Sequence, residues 1–272
     1  ILKPLYQRSI IVAAGPIANF ILAILIFSFI YMFSGKDFTS AVINEVQIDS
    51  PAHIAGFKKD DQILLIDNKK VDSIMQVSTF IMAATSEKIR IIVLRKNQEI
   101  KLNVKPIFVE SVDSLGNKIN KKIIGIKLSP FNNTINHTKL GPSKAIYYAA
   151  KEVVFVCTSS LKYMASMFSG SGDSSQLGGP IRIAKITGQV AELGLIPFLN
   201  IIAYISVSLG LVNLFPIPML DGGHLMFYLF EKVLGRPFSQ KTQEGFFRIG
   251  MLLLMFLMFF VTFNDLKDLG LF

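Results

Sequence analysis

The chain has 272 residues, 51% of them hydrophobic and 17% charged, with a mean hydropathy of +0.49 and a formal net charge of +9. That is too apolar for an ordinary soluble domain and indicates a membrane protein. The basic excess is scattered among acids and apolar residues with no basic stripe or aromatic platform, so it calls for no nucleic-acid partner.

Arg8 and Lys36 bracket an uncharged run, SIIVAAGPIANFILAILIFSFIYMFSG, longer than the ~20 residues that cross a bilayer core. It predicts a spanning helix over Ile10–Phe33. The run is too long for the apolar core of a signal peptide. The chain starts at Ile1 and not Met, which reads as a fragment with residues missing upstream. Within this helix Asn19 can hydrogen-bond a neighbouring helix, and Gly15 and Ala18 permit close approach, so Asn19 is read as packing in preference to catalysis.

Residues 41–106 predict a small mixed fold. AVINEV, QILLID, KIRIIVL and EIKLNV read as strands, with turn signals at Asp67-Asn68 and Asn97-Gln98 and a helix over Ser73–Ala84. The stretch Ser50 to Val71, SPAHIAGFKKDDQILLIDNKKV, resembles the signature of PDZ domains, which bind extended peptides by adding a strand to a sheet edge. A spacer or size filter that binds no peptide is the alternative, and the groove residues are not legible. Lys144–Phe168 has helical length but carries Lys144, Lys151, Glu152 and Lys162. It predicts an amphipathic helix on the outer membrane surface, or one packed beside the mouth of a cavity. Ser169–Pro180 reads as a hinge or turn. It lacks the Gly-Lys-Ser/Thr ending of a phosphate loop, so no nucleotide is expected.

The next uncharged run, Leu193–Leu220, is of spanning length and ends in NLFPIPMLDGGH, Asn213 to His224. Pro216 and Pro218 lack N–H donors and break the helix, freeing carbonyls that lipid cannot satisfy, so the segment must be packed inside protein. A carboxylate there, Asp221, is costly unless paired, metal-bound or facing a wet cavity. The alternative is that Asp221 begins an aqueous loop, with Gly222 and Gly223 stopping the helix. His224, three residues on, would share a face with Asp221 in a helix, and either ligation or an interfacial hydrogen bond is open to it. A third run, Ile249–Phe263, is short for a span unless Arg248 snorkels. The single Cys157 excludes an intrachain disulfide.

Five segments occur in the order found in site-2-type intramembrane zinc metalloproteases: QRSIIVAAGPIANFILAI, the PDZ-like stretch, LGGPIRIAKITGQVAELG, NLFPIPMLDGGHLMF and RIG. The chain resembles the bacterial members that regulate the envelope stress response. That resemblance implies a multi-pass α-helical membrane protein with an inserted mixed α/β PDZ domain, three transmembrane helices in this chain and a fourth upstream. It implies Zn2+ held by Asp221, with Asn213 in contact with substrate or oxyanion, and Pro216, Pro218, Gly222 and Gly223 shaping the motif. The family's His-Glu-x-x-His is absent here. The two other ligands and the catalytic Glu are expected upstream of Ile1, and the 272 residues alone are expected to be inactive. Transmembrane protein substrates and the lipid bilayer are the implied partners, with no nucleic acid and no nucleotide. A membrane-tethered PDZ adaptor would leave Asp221 and the proline break unexplained, and a transporter fragment would leave the PDZ insertion unexplained.

Residues 1–36 are thus a juxtamembrane segment and membrane helix, and residues 37–110 the PDZ domain. Residues 111–176 form an external linker with the amphipathic helix, and 177–230 a membrane helix carrying the Asp221 motif. Residues 231–248 are a cytoplasmic loop and 249–272 the last membrane helix and tail. Lys3, Arg8, Lys232, Arg236, Lys241 and Arg248 place that loop and the amino-terminal end on the cytoplasmic side of the bacterial inner membrane.

Overall fold

The structure is a computed structural model that describes residues 3–84, 86–112, 118–130, 136–168 and 178–268. In chain order its elements are α1 (Leu5–Phe33), β1 (Lys36–Asp37), β2 (Ala41–Val46), α2 (Pro51–Ile54), β3 (Gln62–Ile66), β4 (Lys69–Lys70), α3 (Ile74–Met82), β5 (Ile89–Arg95), β6 (Gln98–Val104), β7 (Ile107–Val112), β8 (Lys118–Ile123), β9 (Ile126–Pro130) and β10 (His137–Thr138). Five helices follow: α4 (Pro142–Phe168), α5 (Pro180–Glu192), α6 (Leu195–Asn213), α7 (Asp221–Leu234) and α8 (Gln240–Asp268). The chain divides into a helical unit, residues 1–30, 142–157 and 177–272, and a β-rich unit, residues 31–141 and 158–176.

In the β-rich unit an antiparallel sheet runs β6-β5-β3-β2-β9, with β4 paired to β3. Alternation along β5 turns Ile89, Ile91 and Val93 inward against Ile43, Ile63 and Ile66, and α3 adds Val77, Phe80 and Ile81. Each such side chain contributes roughly 1.5–3 kcal/mol on burial. Ser50 caps α2, its Oγ accepting the His53 N–H at 3.2 Å, and Pro51 opens the helix with its φ already set. Asp61, 0% exposed, accepts from Arg95 Nε at 2.6 Å and Nη2 at 2.7 Å and from the Lys58 N–H at 2.9 Å, tying the end of β5 to the loop before β3.

Two sequence readings of this unit change. The first hairpin turn lies at Asp67-Asn68 as expected, with φ of 46° and 65°, but the second is Lys96-Asn97, with φ of 48° and 63°, and not Asn97-Gln98. Pairing of Arg95 with Gln98 forces the two-residue loop between them, whatever the propensity of Lys for that conformation. The sheet also does not close at residue 110. β9, from the expected linker, pairs along β2 and covers an edge that residues 41–106 leave open, with Ile124 buried just before it. Between them the β7–β8 hairpin separates β9 in sequence from its partner strand.

The helical unit contains parts of the three helices that are long and apolar enough to cross a membrane, which begin at Leu5, Leu195 and Gln240. The first starts earlier than Ile10, and the third is far longer than Ile249–Phe263. The expected cytoplasmic loop 231–248 shrinks to residues 235–239, since α7 runs to Leu234 and α8 starts at Gln240. Phe227 anchors this corner by ring contacts with Phe238, Phe246 and Phe247, which lets the charged residues ride on helix ends. α4 turns Ala145, Ala149 and Val153 inward, a helical stripe. The expected hinge at 169–180 lies outside the described residues up to 177, and Pro180 begins α5.

Candidate functional site

The run Leu193–Leu220 is not one helix. α6 stops at Asn213, residues 214–220 form a loop, and Asp221 is the first residue of a new helix, α7. Gly222 and Gly223 therefore lie buried inside a helix and do not terminate one. Prolines at 216 and 218 make the break unavoidable. The loop satisfies part of its backbone locally, through Ile217 N–H to Phe215 O at 2.7 Å and Leu220 N–H to Ile217 O at 3.0 Å. Met219 adopts a φ of 91°, a conformation that costs a residue with a side chain about 1–3 kcal/mol and persists only where surroundings impose it.

Glycines let those surroundings close in. A Cβ on Gly222 would overlap the carbonyls of Leu214 and Phe215, one on Gly223 that of Ile217, and one on Gly250 of α8 that of Pro218. The proline loop is thus clamped between the first turn of α7 and the face of α8. On its other flank α6 lies antiparallel to α1. Ser206 Oγ donates to Asn19 O at 2.8 Å, and Gly210 sits under Phe20 and the Pro16 carbonyl. Asn19 takes part in this packing through its backbone.

Asp221 faces α1, where a Cβ on Gly15 would lie 3.0 Å from Asp221 Oδ2. At the other end of α7, Glu231 forms a two-pronged pair with Arg8 (2.6 and 3.2 Å), and Arg8 also lies over the Tyr228 ring. α7 accordingly runs back along α1 from Gly15 to Arg8. Seven residues of α1 separate those levels, about 10 Å of helix. The carboxylate therefore lies two turns inside a spanning helix bundle and has no hydrogen-bond partner among the described residues. Asn213, half-buried at the end of α6, likewise has a side chain without a hydrogen bond among the described residues. The structure brings Asn213, Pro216, Pro218, Asp221, Gly222 and Gly223 together around one break. His224 packs its ring 5.3 Å from that of Phe247.

Residues 2–257 match the model of Peptidase family M50. The chain belongs to that family. Atu1380 of Agrobacterium fabrum is 40% identical over 265 residues, covering 97% of this chain and 70% of that protein. MmpA of Caulobacter vibrioides is 33% identical over 279 residues, covering 97% and 69%. Both names speak of metalloproteases, and that of Atu1380 of a zinc metalloprotease. The β-rich unit is similar to the PDZ domain of the SdrC-like protein from Listeria monocytogenes, at 20% identity over 33% of this chain and 87% of that one, with a TM-score of 0.27. The M50 chain is a membrane-embedded metalloprotease sequence of multi-pass helical architecture with an inserted α/β domain.

Asp221 suits a metal as one carboxylate donor: it has no hydrogen-bond or ion-pair partner among the described residues and lies opposite a residue with no side chain. Among the described residues no three His, Cys, Asp or Glu side chains converge, so the other ligands of a zinc site are not assembled there. Two features of the site escaped sequence reasoning. Gly15 is visible as a small residue, but only the structure shows that it faces Asp221. Asp265, 2% exposed near the end of α8, accepts the N–H groups of Gly179, Ile181 and Arg182 at 2.8, 3.1 and 3.0 Å, and so caps α5 from another helix. An aspartate just past the predicted span Ile249–Phe263 was the available signal.

Proposed function

We propose that this M50 chain is the substrate-handling part and one metal-ligand arm of an intramembrane endoprotease that cuts transmembrane segments of already trimmed membrane proteins, such as anti-sigma factors or signal-peptide remnants. The observation that carries the reading is Asp221: an unpaired carboxylate two turns inside a spanning bundle, beside a helix break. Asp221 would hold the zinc with two histidines of the family's His-Glu-x-x-His, expected on a segment outside these 272 residues. Zinc in such a site lowers the pKa of its water toward ~7 and so supplies hydroxide at neutral pH.

This chain's own residues do the rest. A helical substrate hides its carbonyls in hydrogen bonds and must be unwound before attack. The break at 214–220 leaves α6 ending on Asn213, whose free amide offers a donor and an acceptor to an extended strand or to a developing oxyanion. The clamped glycines fix the loop, so Asn213 and Asp221 keep their spacing. The Arg8–Glu231 pair puts the start of α1 and the end of α7 at one end of the bundle, and its lysines and arginines make that end cytoplasmic in the bacterial inner membrane. The β-rich unit is then periplasmic and restricts access to substrates without bulky external domains. Its outer strand β9 is an open edge to which a peptide could add.

The test is cleavage by the full-length protein of a tagged single-span substrate with and without a bulky external domain. Asn213→Ala is expected to keep its metal while turnover falls ~10²–10³-fold, the usual effect of losing one preorganised donor. Loss of metal in that variant would refute the substrate role.

A further inference from the structure

The β-rich unit has a basic cavity that the protease reading does not use. It measures about 390 Å³ and lies at the end of α3, between the Asp67-Asn68 turn, β5 and α4. Four cationic side chains line it from four separate places in the chain: Lys69 of β4, Lys88 ahead of β5, Arg90 of β5 and Lys162 of α4. The single carboxylate among them, Asp67, already accepts the Arg90 backbone N–H through Oδ1 at 3.0 Å. Neither β8 nor β9 contributes to the lining, so the cavity is separate from the open sheet edge.

Two of these cations share the cavity wall closely enough for one charge to act on the other. Lys69 lies against the Phe80 face, its Nζ 5.2 Å from the ring centroid, and lines the same cavity as Lys162. Burial first, and then the Lys162 charge, lower the Lys69 pKa from its ordinary value, with Asp67 only partly opposing. Two ammonium groups hold such a position at a cost unless an anion sits between them. Asn68, Ser86 and Asn103 add neutral hydrogen-bonding groups to the wall.

We infer that this cavity is a binding site for a phosphate-bearing anion. Four cations arriving from separate elements suit a group with three acceptor oxygens and up to two charges, whereas a carboxylate needs only one fork of donors. The volume is that of a small ligand or a lipid headgroup and too small for a peptide segment. The same chemistry is offered by a soluble phosphate ester and by an anionic phospholipid. The site stands independently of the zinc and substrate roles given above.

The experiment is competitive lysine acylation of the full chain in detergent, read by mass spectrometry, with exposed Lys59 as internal reference. The probes are inorganic phosphate, dihexanoyl phosphatidylglycerol below its micelle concentration, and acetate and chloride at matched ionic strength. An anion between Lys69 and Lys162 that raises the Lys69 pKa by one unit cuts its reactive fraction, and hence its labelling, about tenfold. Phosphate is expected to slow Lys69 in this way and leave Lys59 unchanged. Half-protection at a lower concentration of the lipid than of phosphate identifies a headgroup as the source, and the reverse order identifies a soluble phosphate. The ratio of rates with and without phosphate is expected to return to one in Arg90→Gln/Lys162→Gln, two exposed changes that leave the sheet core intact. Equal protection by acetate or chloride, no protection by either phosphate probe, or protection that survives the double substitution would each overturn the site.

Discussion

Gly250→Ala and Gly245→Ala are the same substitution in the same helix, and the structure predicts opposite results. A methyl group at 250 overlaps the Pro218 carbonyl, whereas one at 245 meets nothing within 4 Å. Each gains about 1 kcal/mol of helix propensity, a contribution common to both that cancels in the comparison. What remains is the overpacking cost at 250, about 1–3 kcal/mol. Relief comes by pushing α8 off the loop or the loop off α8, and Pro218 is three residues from Asp221. A shift of about 1 Å at a reacting group typically costs ~10²-fold in rate. Thermal unfolding of the full-length protein in detergent, with cleavage of a single-span substrate, reads both effects. Gly245→Ala should be neutral or slightly stabilised with unchanged turnover, and Gly250→Ala less stable than it by 1–3 kcal/mol with turnover reduced ~10²-fold. Matching stability and turnover in the two variants would refute the clamped-loop geometry.

Two further outcomes follow from buried charges. Asp265→Ala leaves three N–H groups at the start of α5 without their acceptor. It should cost about 1–2 kcal/mol, as for a lost helix cap, seen as faster hydrogen exchange confined to the first turn of α5; exchange unchanged there would show that the cap carries no stability. Lys122 Nζ donates to Ala84 O at 2.8 Å, and burial lowers its pKa from 10.5. The unfolded chain then binds more protons than the folded one between the lowered value and 10.5, so stability of the β-rich unit rises with pH across that window and the penalty is complete below it. Lys122→Met should flatten that rise in urea midpoints measured by pulse proteolysis, although lowered Lys69 contributes in the same sense. A rise undiminished in Lys122→Met would assign it to another group.

The parts legible in sequence were those with local signatures. Uncharged runs gave the spans, alternation gave β2, β3, β5 and β6, and the Asp67-Asn68 turn announced itself. What hid was set by tertiary contact. The helix break after Asn213 was legible from Pro216 and Pro218, but not how it is held, which depends on the loop meeting Gly222, Gly223 and Gly250 across three segments. β9 was invisible as part of the sheet because its partner, β2, is some eighty residues earlier. The Asp221 motif was legible as unusual chemistry, but not its depth, which the structure fixes through Gly15 and the Arg8–Glu231 pair. Asp265 carries no local signature of its partners at the start of α5, and the cation cluster around Lys69 draws on residues from positions 69 to 162.

Metal content of the full-length protein and its Asp221→Ala variant, measured after dialysis against trace chelator, tests the central claim most directly. The account predicts close to one zinc per chain in the parent and almost none in Asp221→Ala, with fold retained as judged by the unchanged hydrogen exchange of the β-rich unit. Stoichiometric zinc that survives Asp221→Ala would contradict it and move the metal to a different site.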